Sequence, residues 1–197
     1  MRRALWFTAI VALLLPSGLW AATHTIDRAH SSVEFTIRHL GISKVKGNFG
    51  DFAGTLVFDE DAIEKGSVSV TIQTSSIDTG NENRDKHLRS ADFFDVEKYP
   101  TITFESTKVE KSEEGWILHG NLTMHGVTRE VAIPFEVLGV ISDPQLGTRA
   151  GFEGSLTIQR ETFGVGWEDM KFRPPLIGND VEISLNLETI QQEQQEK

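Results

Sequence analysis

After its first 22 residues, the chain alternates apolar and polar positions in short runs, a pattern typical of strands with one buried face. The clearest run is residues 32–39 (SVEFTIRH), in which Val33, Phe35 and Ile37 share one face. Similar runs follow at residues 50–58, 68–72, 102–104, 116–124, 131–137, 152–158 and 181–187. Turn signals such as Glu64-Lys65-Gly66 separate them. About eight such strands predict an antiparallel sandwich or barrel in one domain.

The interval between residues 78 and 100 breaks this pattern and is too long for a hairpin turn. Asn83 could cap a short helix over residues 84–89, and Tyr99-Pro100 imposes extended backbone before the next strand. The adjacent Phe93 and Phe94 stand here among many charged residues. Two interpretations remain open, a lid over a binding site and a structural plug at one end of a barrel.

A second irregular stretch, residues 160–180, carries Phe163, Trp167 and a Pro174-Pro175 pair. Its Gly-Val-Gly sequence lacks the spacing of a phosphate-binding loop. The aromatic residues could contact an apolar ligand at a barrel mouth, or they could pack the loop onto its own barrel.

The first 22 residues have the order of a secretory signal peptide, with Arg2 and Arg3 before an apolar run and small residues at the end. The predicted cleavage site follows Ala21 or Ala22, and the alternative is an uncleaved anchor. We expect a binding domain at residues 23–190, a polar tail at 191–197 and a periplasmic or secreted location.

Charge and cysteine content narrow the possible partners. Removing the signal peptide leaves 17 basic against 29 acidic residues, a net charge of −12 compared with −10 for the whole chain. An acidic surface repels phosphates and anionic lipid headgroups, so we expect no nucleic-acid partner. No later apolar run is long enough to span a bilayer, so we expect no stable membrane insertion. There is no cysteine, so the core alone must stabilise an exported protein.

The sequence contains no recognisable catalytic or metal-binding motif, lacking both GxSxG and HExxH. No two of its histidines form a close ligand pair at helical spacing, and we assign no metal ligand, catalytic residue or cofactor. Asp85, Asp92 and Asp95 lie near His87 and Arg89 in sequence. They could form an acid–base set or simply pin the connector, and spacing alone does not distinguish these uses.

Four stretches of the chain resemble the YceI family of exported bacterial proteins, also called polyisoprenoid-binding proteins. They are residues 30–49 (HSSVEFTIRHLGISKVKGNF), 84–104 (RDKHLRSADFFDVEKYPTITF), 120–135 (GNLTMHGVTREVAIPF) and 151–167 (GFEGSLTIQRETFGVGW). They occur in the family's order, and the likeness covers residues 25–189. The resemblance implies an extended, lipocalin-like antiparallel β-barrel of eight strands with a short helical connector. It further implies that the barrel holds a long isoprenoid lipid, of polyprenyl or quinone-like type.

Strand phase and this resemblance together predict the residues that hold the lipid. They are Val33, Phe35, Ile37, Phe52, Phe93, Phe94, Ile102, Phe104, Leu122, Ile133, Phe135, Phe152, Phe163 and Trp167. We expect Phe93 and Phe94 to turn inward over the lumen, and Arg84, His87, Arg89 and Asp92 to serve as rim or anchoring residues. Gly50, Gly54, Gly120 and Gly154 share the inward phases; they could leave room for a ligand or mark barrel curvature.

The sequence therefore predicts a non-enzymatic protein that carries, stores or sequesters an isoprenoid lipid. Two alternatives remain: a scavenger of diverse hydrophobic compounds in a stress response, and an enzyme that acts on an apolar substrate through the neighbourhood of His87, Asp92 and Asp95. An exposed edge strand would permit a homodimer, and nothing in the sequence demands one.

Overall fold

The computed structural model describes residues 21–166 and 176–193, which form eleven strands, one α-helix and short 3-10 turns. The predicted signal peptide before residue 21, Trp167 with the rest of residues 167–175, and residues 194–197 lie outside the described part. The elements are β1 (Ala22–Ile26), β2 (Ser32–His39), β3 (Ser43–Phe49), β4 (Phe52–Phe58), β5 (Ser67–Gln73), β6 (Ile77–Asp78), α1 (Glu82–Arg89), β7 (Thr101–Ser112), β8 (Gly115–Met124), β9 (Val127–Asp143), β10 (Gly147–Gln159) and β11 (Ile177–Gln191).

Eight strands close into a barrel through antiparallel pairing in the order β1-β4-β5-β7-β8-β9-β10-β11. The closing contact joins β11 back to β1, with His24 opposite Gln191 and Ile26 opposite Thr189. The first part of β11 pairs instead with β2, so β1 and β2 lie end to end along one neighbour. β3 pairs with β2, and the short β6 pairs with β3. The predicted eight-stranded barrel with a short helical connector is confirmed, and closure rules out the sandwich.

The sequence pattern missed β1, β3 and β6. In β3 (SKVKGNF), lysines point outward while Val45, Gly47 and Phe49 occupy the inward phase, and the glycine interrupts the apolar signal.

The predicted N-cap of helix α1 was wrong by two residues. The side chain of Asn81, not Asn83, accepts a hydrogen bond from the Arg84 backbone nitrogen at 3.0 Å. Asn81 has the extended backbone that an N-cap requires. Among the described residues, no helix combines the length and apolarity needed to cross a bilayer.

The interior contains two apolar clusters, and one of them seals an end of the barrel. That cluster is built from Leu56, Phe58, Ile63, Val109, Ala150 and Phe152, where β4 and β7 end and β10 begins. The rings of Phe58 and Phe152 meet edge to face with centroids 5.3 Å apart. We call this the closed end. The other cluster surrounds the opposite half of the barrel, beneath the connector that contains α1.

Neighbouring side chains cover three of the inward glycines. A Cβ atom at Gly120 would clash with the ring of Phe104, and one at Gly54 would lie 2.8 Å from Ile26 Cδ1. Gly47 is covered in the same way by the ring of Phe35. Neighbouring side chains therefore take the space at Gly54 and Gly120, so these two glycines leave no room for a ligand. A Cβ at Gly50 would meet only Asn48 Oδ1, at 4.0 Å.

Candidate functional site

A cavity of about 480 Å³ extends from the connector through the barrel to the closed-end cluster. This volume lies within the range of small-molecule pockets. Its walls are inward side chains of the barrel strands, and they are almost entirely apolar. Along β11 the lining extends from Ile177 to Leu187, roughly 30 Å along the strand at 3.3 Å per residue. The cavity is therefore suited to a slender apolar ligand.

Ten of the fourteen residues predicted to hold lipid line this cavity. They are Val33, Phe35, Ile37, Phe52, Phe93, Phe94, Ile102, Phe104, Leu122 and Ile133. They come from β2, β4, β7, β8, β9 and the connector, so the fold brings together residues distant in sequence. Their contact with a lipid stays a prediction.

Four predicted residues are not among the lining side chains. Phe152 belongs to the closed-end cluster, and Phe135 packs against it. Phe163 is 2% exposed and belongs to the apolar cluster beneath the connector, but it is not among the residues that line the cavity. Trp167 lies outside the described residues. The alternation of a strand predicts which side chains point into the barrel, but it does not predict their position along the barrel axis.

Several lining residues were absent from the predicted set. They include Val45, Phe49, Val68, Val70, Ile72, Met124, Val131, Leu156, Val181, Ile183, Leu185 and Leu187. Those on β5 and β11 belong to runs whose alternation was already recognised, so the same signal would have found them. Phe49 sits on β3, which the pattern missed.

Phe93 and Phe94 close the cavity from the connector. The Phe93 side chain is 6% exposed, and the Phe94 ring meets the Phe49 ring edge to face at 5.9 Å. Backbone hydrogen bonds fold this segment tightly, with Phe93 N donating to Ser90 O and Phe94 N to Leu88 O, both at 3.0 Å. Asp95 adopts the left-handed region (φ 46°), which turns the chain back toward β7.

Charged residues of α1 attach the connector to the segment before it. Arg89 donates from Nε to the backbone oxygen of Ser75 at 2.8 Å and from Nη2 to that of Ile77. Arg84 donates from Nε to Thr79 Oγ1 at 2.7 Å and from Nη2 to Thr79 O at 2.9 Å. The buried carboxylate of Asp85 accepts from the Thr79 backbone nitrogen at 3.0 Å. Charge here satisfies backbone groups at the rim of the cavity.

His87 and Asp92 form a pair at the same rim, with Nε2 and Oδ2 separated by 3.1 Å. The His87 ring also meets the Phe93 ring edge to face at 5.0 Å. Both side chains of the pair are partly exposed, at 42% and 55%. His87 and Arg84 line the cavity, whereas Arg89 and Asp92 are not among the lining residues.

The polar members of the cavity lining are Glu34, His39, Thr79, Arg84, His87 and Arg160. Arg160 is 5% exposed, and its burial lowers the pKa of the guanidinium. It donates to the backbone oxygens of Val165 at 2.8 Å and Gly178 at 2.9 Å, and to Glu161 Oε1 at 3.2 Å. These bonds tie the turn after β10 to the start of β11.

Asp27, His30 and Glu188 form a cluster whose ligand atoms are close enough to hold a metal ion. Arg149 already contacts it, however, donating from Nη1 to Asp27 Oδ2 at 2.9 Å and to Glu188 Oε1 at 2.5 Å. Hydrogen bonds from His30 and then Arg149 lower the pKa of Asp27 to about 2. The guanidinium supplies the positive charge this cluster needs, and we assign no metal to it.

A closed antiparallel barrel with an apolar cavity under a helical connector is a lipocalin-like architecture. The chain belongs to the YceI-like domain family, whose sequence profile matches residues 24–189. A UPF0312 protein of Pseudomonas paraeruginosa is 44% identical over 191 residues, covering 93% of this chain and 97% of that protein. The family resemblance read from the sequence is confirmed.

Solved structures share the fold. BcnA of Burkholderia cenocepacia matches with a TM-score of 0.74 at 26% identity, covering 83% of this chain and 98% of BcnA. A polyisoprenoid-binding domain from Saccharophagus degradans matches with a TM-score of 0.64 at 14% identity, covering 87% of this chain and 99% of that domain. At this identity, the second match shows the fold alone.

Proposed function

We propose that this protein holds a long isoprenoid lipid in its barrel and carries, stores or sequesters it. The observation that carries the proposal is the apolar cavity of about 480 Å³, which follows β11 over most of the strand. The description of the Saccharophagus degradans domain as polyisoprenoid-binding supports the ligand class.

The cavity suits a long chain better than a compact ligand. An eight-stranded barrel has interior space for packed side chains or for one slender molecule. Here the closed-end cluster takes one part of the interior and the cavity takes the rest. Each buried CH₂ contributes about 0.8 kcal/mol, while non-covalent affinities saturate near −20 kcal/mol. Part of a long chain therefore stays outside the cavity, or its burial is offset by ordering of the lipid and the connector.

The polar groups of the lining give the ligand a direction. Thr79, Arg84 and His87 belong to the connector, at the end of the barrel opposite the closed end. The other polar lining residues are Glu34, His39 and Arg160, and the rest of the wall is apolar down to the closed end. We place a polar headgroup beside these residues and the isoprenoid tail along β11.

We propose a periplasmic location for the protein. The support is the signal-peptide order of residues 1–22. An acidic mature chain favours solubility there and disfavours nucleic acid as a partner. We assign no reaction to the protein; a turnover lost in His87→Ala would contradict that assignment.

A scavenger of diverse hydrophobic compounds is the second candidate. It is favoured by the scarcity of polar groups in the lining, because apolar walls discriminate weakly between ligands of similar size. Competition of several unrelated hydrophobic dyes against a polyprenyl alcohol separates the two candidates. Isoprenoid binding predicts that the polyprenyl alcohol displaces the dyes at much lower concentration than they displace each other.

A cavity-filling substitution tests the proposed site. Leu185 lines the cavity, whereas its neighbour Ser184 on β11 is exposed. We expect Leu185→Trp to occupy the lumen and weaken binding of a polyprenyl alcohol about tenfold or more, since each lost tenfold corresponds to about 1.4 kcal/mol. Ser184→Trp adds the same side chain to the same strand on the outer face, and it should bind like the unmodified protein.

Binding is measured by titration with native mass spectrometry, and thermal unfolding confirms that both variants fold. Equal binding by the two tryptophan variants would remove the cavity as the site. An unmodified protein that takes up no polyprenyl lipid would contradict the function itself.

A further inference from the structure

The turn between β2 and β3 exposes apolar side chains to an unusual degree. Ile42 is 87% exposed and Leu40 is 37% exposed. Leu40 and Gly41 both adopt left-handed backbone (φ 52° and 72°), and the turn is closed by Ile42 N donating to His39 O at 3.2 Å. Glycine or asparagine suits this conformation better than leucine. Neither stability nor turn chemistry explains an exposed leucine and isoleucine here. We call residues 38–46 the hairpin tip.

Basic residues flank these apolar residues along the chain. The sequence from residue 35 to residue 50 contains no aspartate or glutamate, although the chain carries a net charge of −10. Arg38, Lys44 and Lys46 are exposed within it. Lys44 pairs with Glu182 on β11 at 3.1 Å, whereas neither Arg38 nor Lys46 forms a salt bridge with a carboxylate of the described residues. An apolar tip with basic flanks complements a bilayer that carries anionic headgroups.

The hairpin tip lies at the cavity. His39 and Val45, which belong to its two strands, line the cavity together with Leu176. The Leu40 backbone nitrogen donates to Leu176 O at 2.8 Å, so the tip is fixed to the beginning of β11. A surface that binds the tip would therefore lie close to the cavity.

We propose that the hairpin tip docks the protein reversibly on an anionic lipid surface, so that apolar cargo passes between bilayer and cavity without crossing water. The proposal rests on the proposed lipid-binding function and adds its route of loading. Docking is weak, because two apolar side chains and two cations provide it. The acidic remainder of the molecule resists any other orientation, and salt screens charges more than about 8–10 Å from the membrane.

The closed end of the barrel provides a natural comparison. It also exposes large apolar side chains, with Leu138 and Ile141 each 56% exposed. The sequence from residue 130 to residue 148 contains no lysine or arginine, however, and it contains Glu136 and Asp143. Apolar exposure is therefore similar at these two places in the described part of the chain, and the nearby cations differ. Arg149, which contacts exposed Leu146 at the closed end, is paired with Asp27 and Glu188, whereas Arg38 and Lys46 at the hairpin tip form no such salt bridge.

Vesicle flotation of the mature protein tests the proposal. Vesicles of equal parts phosphatidylglycerol and phosphatidylethanolamine are compared with vesicles of phosphatidylcholine alone. We expect binding to the anionic vesicles, weaker binding to the neutral ones, and release by high salt. Leu40→Asn with Ile42→Ser should weaken binding about tenfold or more. Arg38→Gln with Lys46→Gln should weaken it roughly thirtyfold, at about 1 kcal/mol per cation.

Two matched controls keep the result specific to the hairpin tip. Leu138→Ser with Ile141→Ser removes apolar surface from the closed end, and Lys65→Gln with Lys111→Gln removes two exposed lysines elsewhere. Both should bind vesicles like the unmodified protein. Because the chain contains no cysteine, an environment-sensitive dye on Ser43→Cys can report the tip directly. Its emission should shift with anionic vesicles, and the same dye on Ser142→Cys should not respond.

Three results would overturn the proposal. The first is an absence of vesicle binding, and the second is an equal loss in the control variants. The third is a dimer in solution that Ile42→Ser converts to a monomer, which would assign the tip to a second copy of the chain. Retention of a preloaded polyprenyl alcohol in detergent is measured separately by native mass spectrometry. The tip variants should retain it, so failure to dock is distinguishable from failure of the cavity to bind lipid.

Discussion

Phe104 lies across the backbone of Gly120 on the neighbouring strand, and this contact shows how single residues set the shape of the barrel interior. A Cβ at Gly120 would meet the Phe104 ring and lie 2.6 Å from the backbone oxygen of Glu105. Neither a packed ring nor a strand backbone yields easily. Glycine is needed at position 120 because the Phe104 ring occupies the space that a side chain there would take.

We predict that Gly120→Ala lowers the free energy of unfolding by about 1–3 kcal/mol, the usual cost of overpacking a core. Gly50→Ala is the control, because the nearest atom to a Cβ there is 4.0 Å away. Urea unfolding of both variants measures the difference. Equal stability of the two alanine variants would contradict the packing described for Gly120.

The ion cluster around Asp27 makes stability depend on pH in two separate ranges. His30 Nδ1 lies 3.0 Å from Asp27 Oδ2, and this hydrogen bond raises the pKa of His30 from its usual 6.5. The stabilisation from His30 is thus complete below its unfolded pKa and is lost as pH rises through its folded pKa. The lowered pKa of Asp27, about 2, acts in the opposite direction. Its contribution is present above the usual value of 3.8 and is lost as pH falls toward 2.

We predict that His30→Gln is less stable than the unmodified protein at about pH 5 and approaches it at about pH 9. Because the His30 side chain is 63% exposed, the effect is small and salt weakens it. Urea midpoints across this pH range provide the measurement. A stability difference that stays constant with pH would show that the hydrogen bond to Asp27 does not shift the titration of His30.

At the scale of elements, hydrogen bonds from helix α1 hold the connector in place. Arg89 forms two hydrogen bonds to backbone oxygens of the segment that precedes the helix. Hydrogen bonds from charged groups are worth roughly 1.5–3 kcal/mol each when partly buried. The strands of the barrel have their own ladder and do not need these bonds, so the connector can open without unfolding the barrel.

We predict that Arg89→Ala accelerates amide hydrogen exchange in residues 79–96 about thirtyfold, equivalent to about 2 kcal/mol. Exchange in β8 to β10 should change little. Arg89→Lys should not restore protection, because an ammonium lacks the planar fork that reaches both oxygens. Uniformly faster exchange throughout the barrel would mean that the arginine stabilises the whole fold rather than the connector.

The two phenylalanines of the connector should control lipid retention. Both line the cavity, and Phe93 is nearly inaccessible to solvent. We predict that Phe93→Ala with Phe94→Ala speeds the release of a bound polyprenyl alcohol, because the variant loses apolar contacts at the top of the cavity. The measurement is lipid occupancy against time after dilution into lipid-free detergent. Phe152→Ala, which opens a void at the closed end, is the control for lost packing. An unchanged lipid load in folded double variant would contradict the role of this pair.

At the scale of the molecule, the sequence predicted the barrel better than it predicted the site. Alternation along β2, β8 and β10 reveals which faces are buried, because one face of each strand packs inside. Alternation does not reveal how far along the barrel a residue lies. Phe135 and Phe152 therefore have the correct phase and still belong to the closed end. Height depends on register between strands, which long-range pairing fixes and local pattern does not.

Two further features were beyond the sequence pattern for the same reason. β1 and β6 are short, and their hydrogen bonds to β4, β11 and β3 define them more than their own composition does. Arg149 contacts both Asp27 and Glu188, which lie 122 and 39 positions away in the sequence. The connector is the exception, because its arginines bond residues that are close in sequence, as Arg84 does with Thr79 and Arg89 with Ser75. The sequence pattern alone therefore showed that a connector was present.

The central claim is that the cavity holds an isoprenoid lipid, and native mass spectrometry of protein purified gently from the cells that produce it tests this most directly. Solvent extraction and identification of any released mass follow. We predict one isoprenoid per protein at near-complete occupancy, lost in Leu185→Trp and kept in Ser184→Trp. A protein that is empty when isolated and that also takes up no added polyprenyl lipid would contradict the claim and leave the cavity without its proposed ligand.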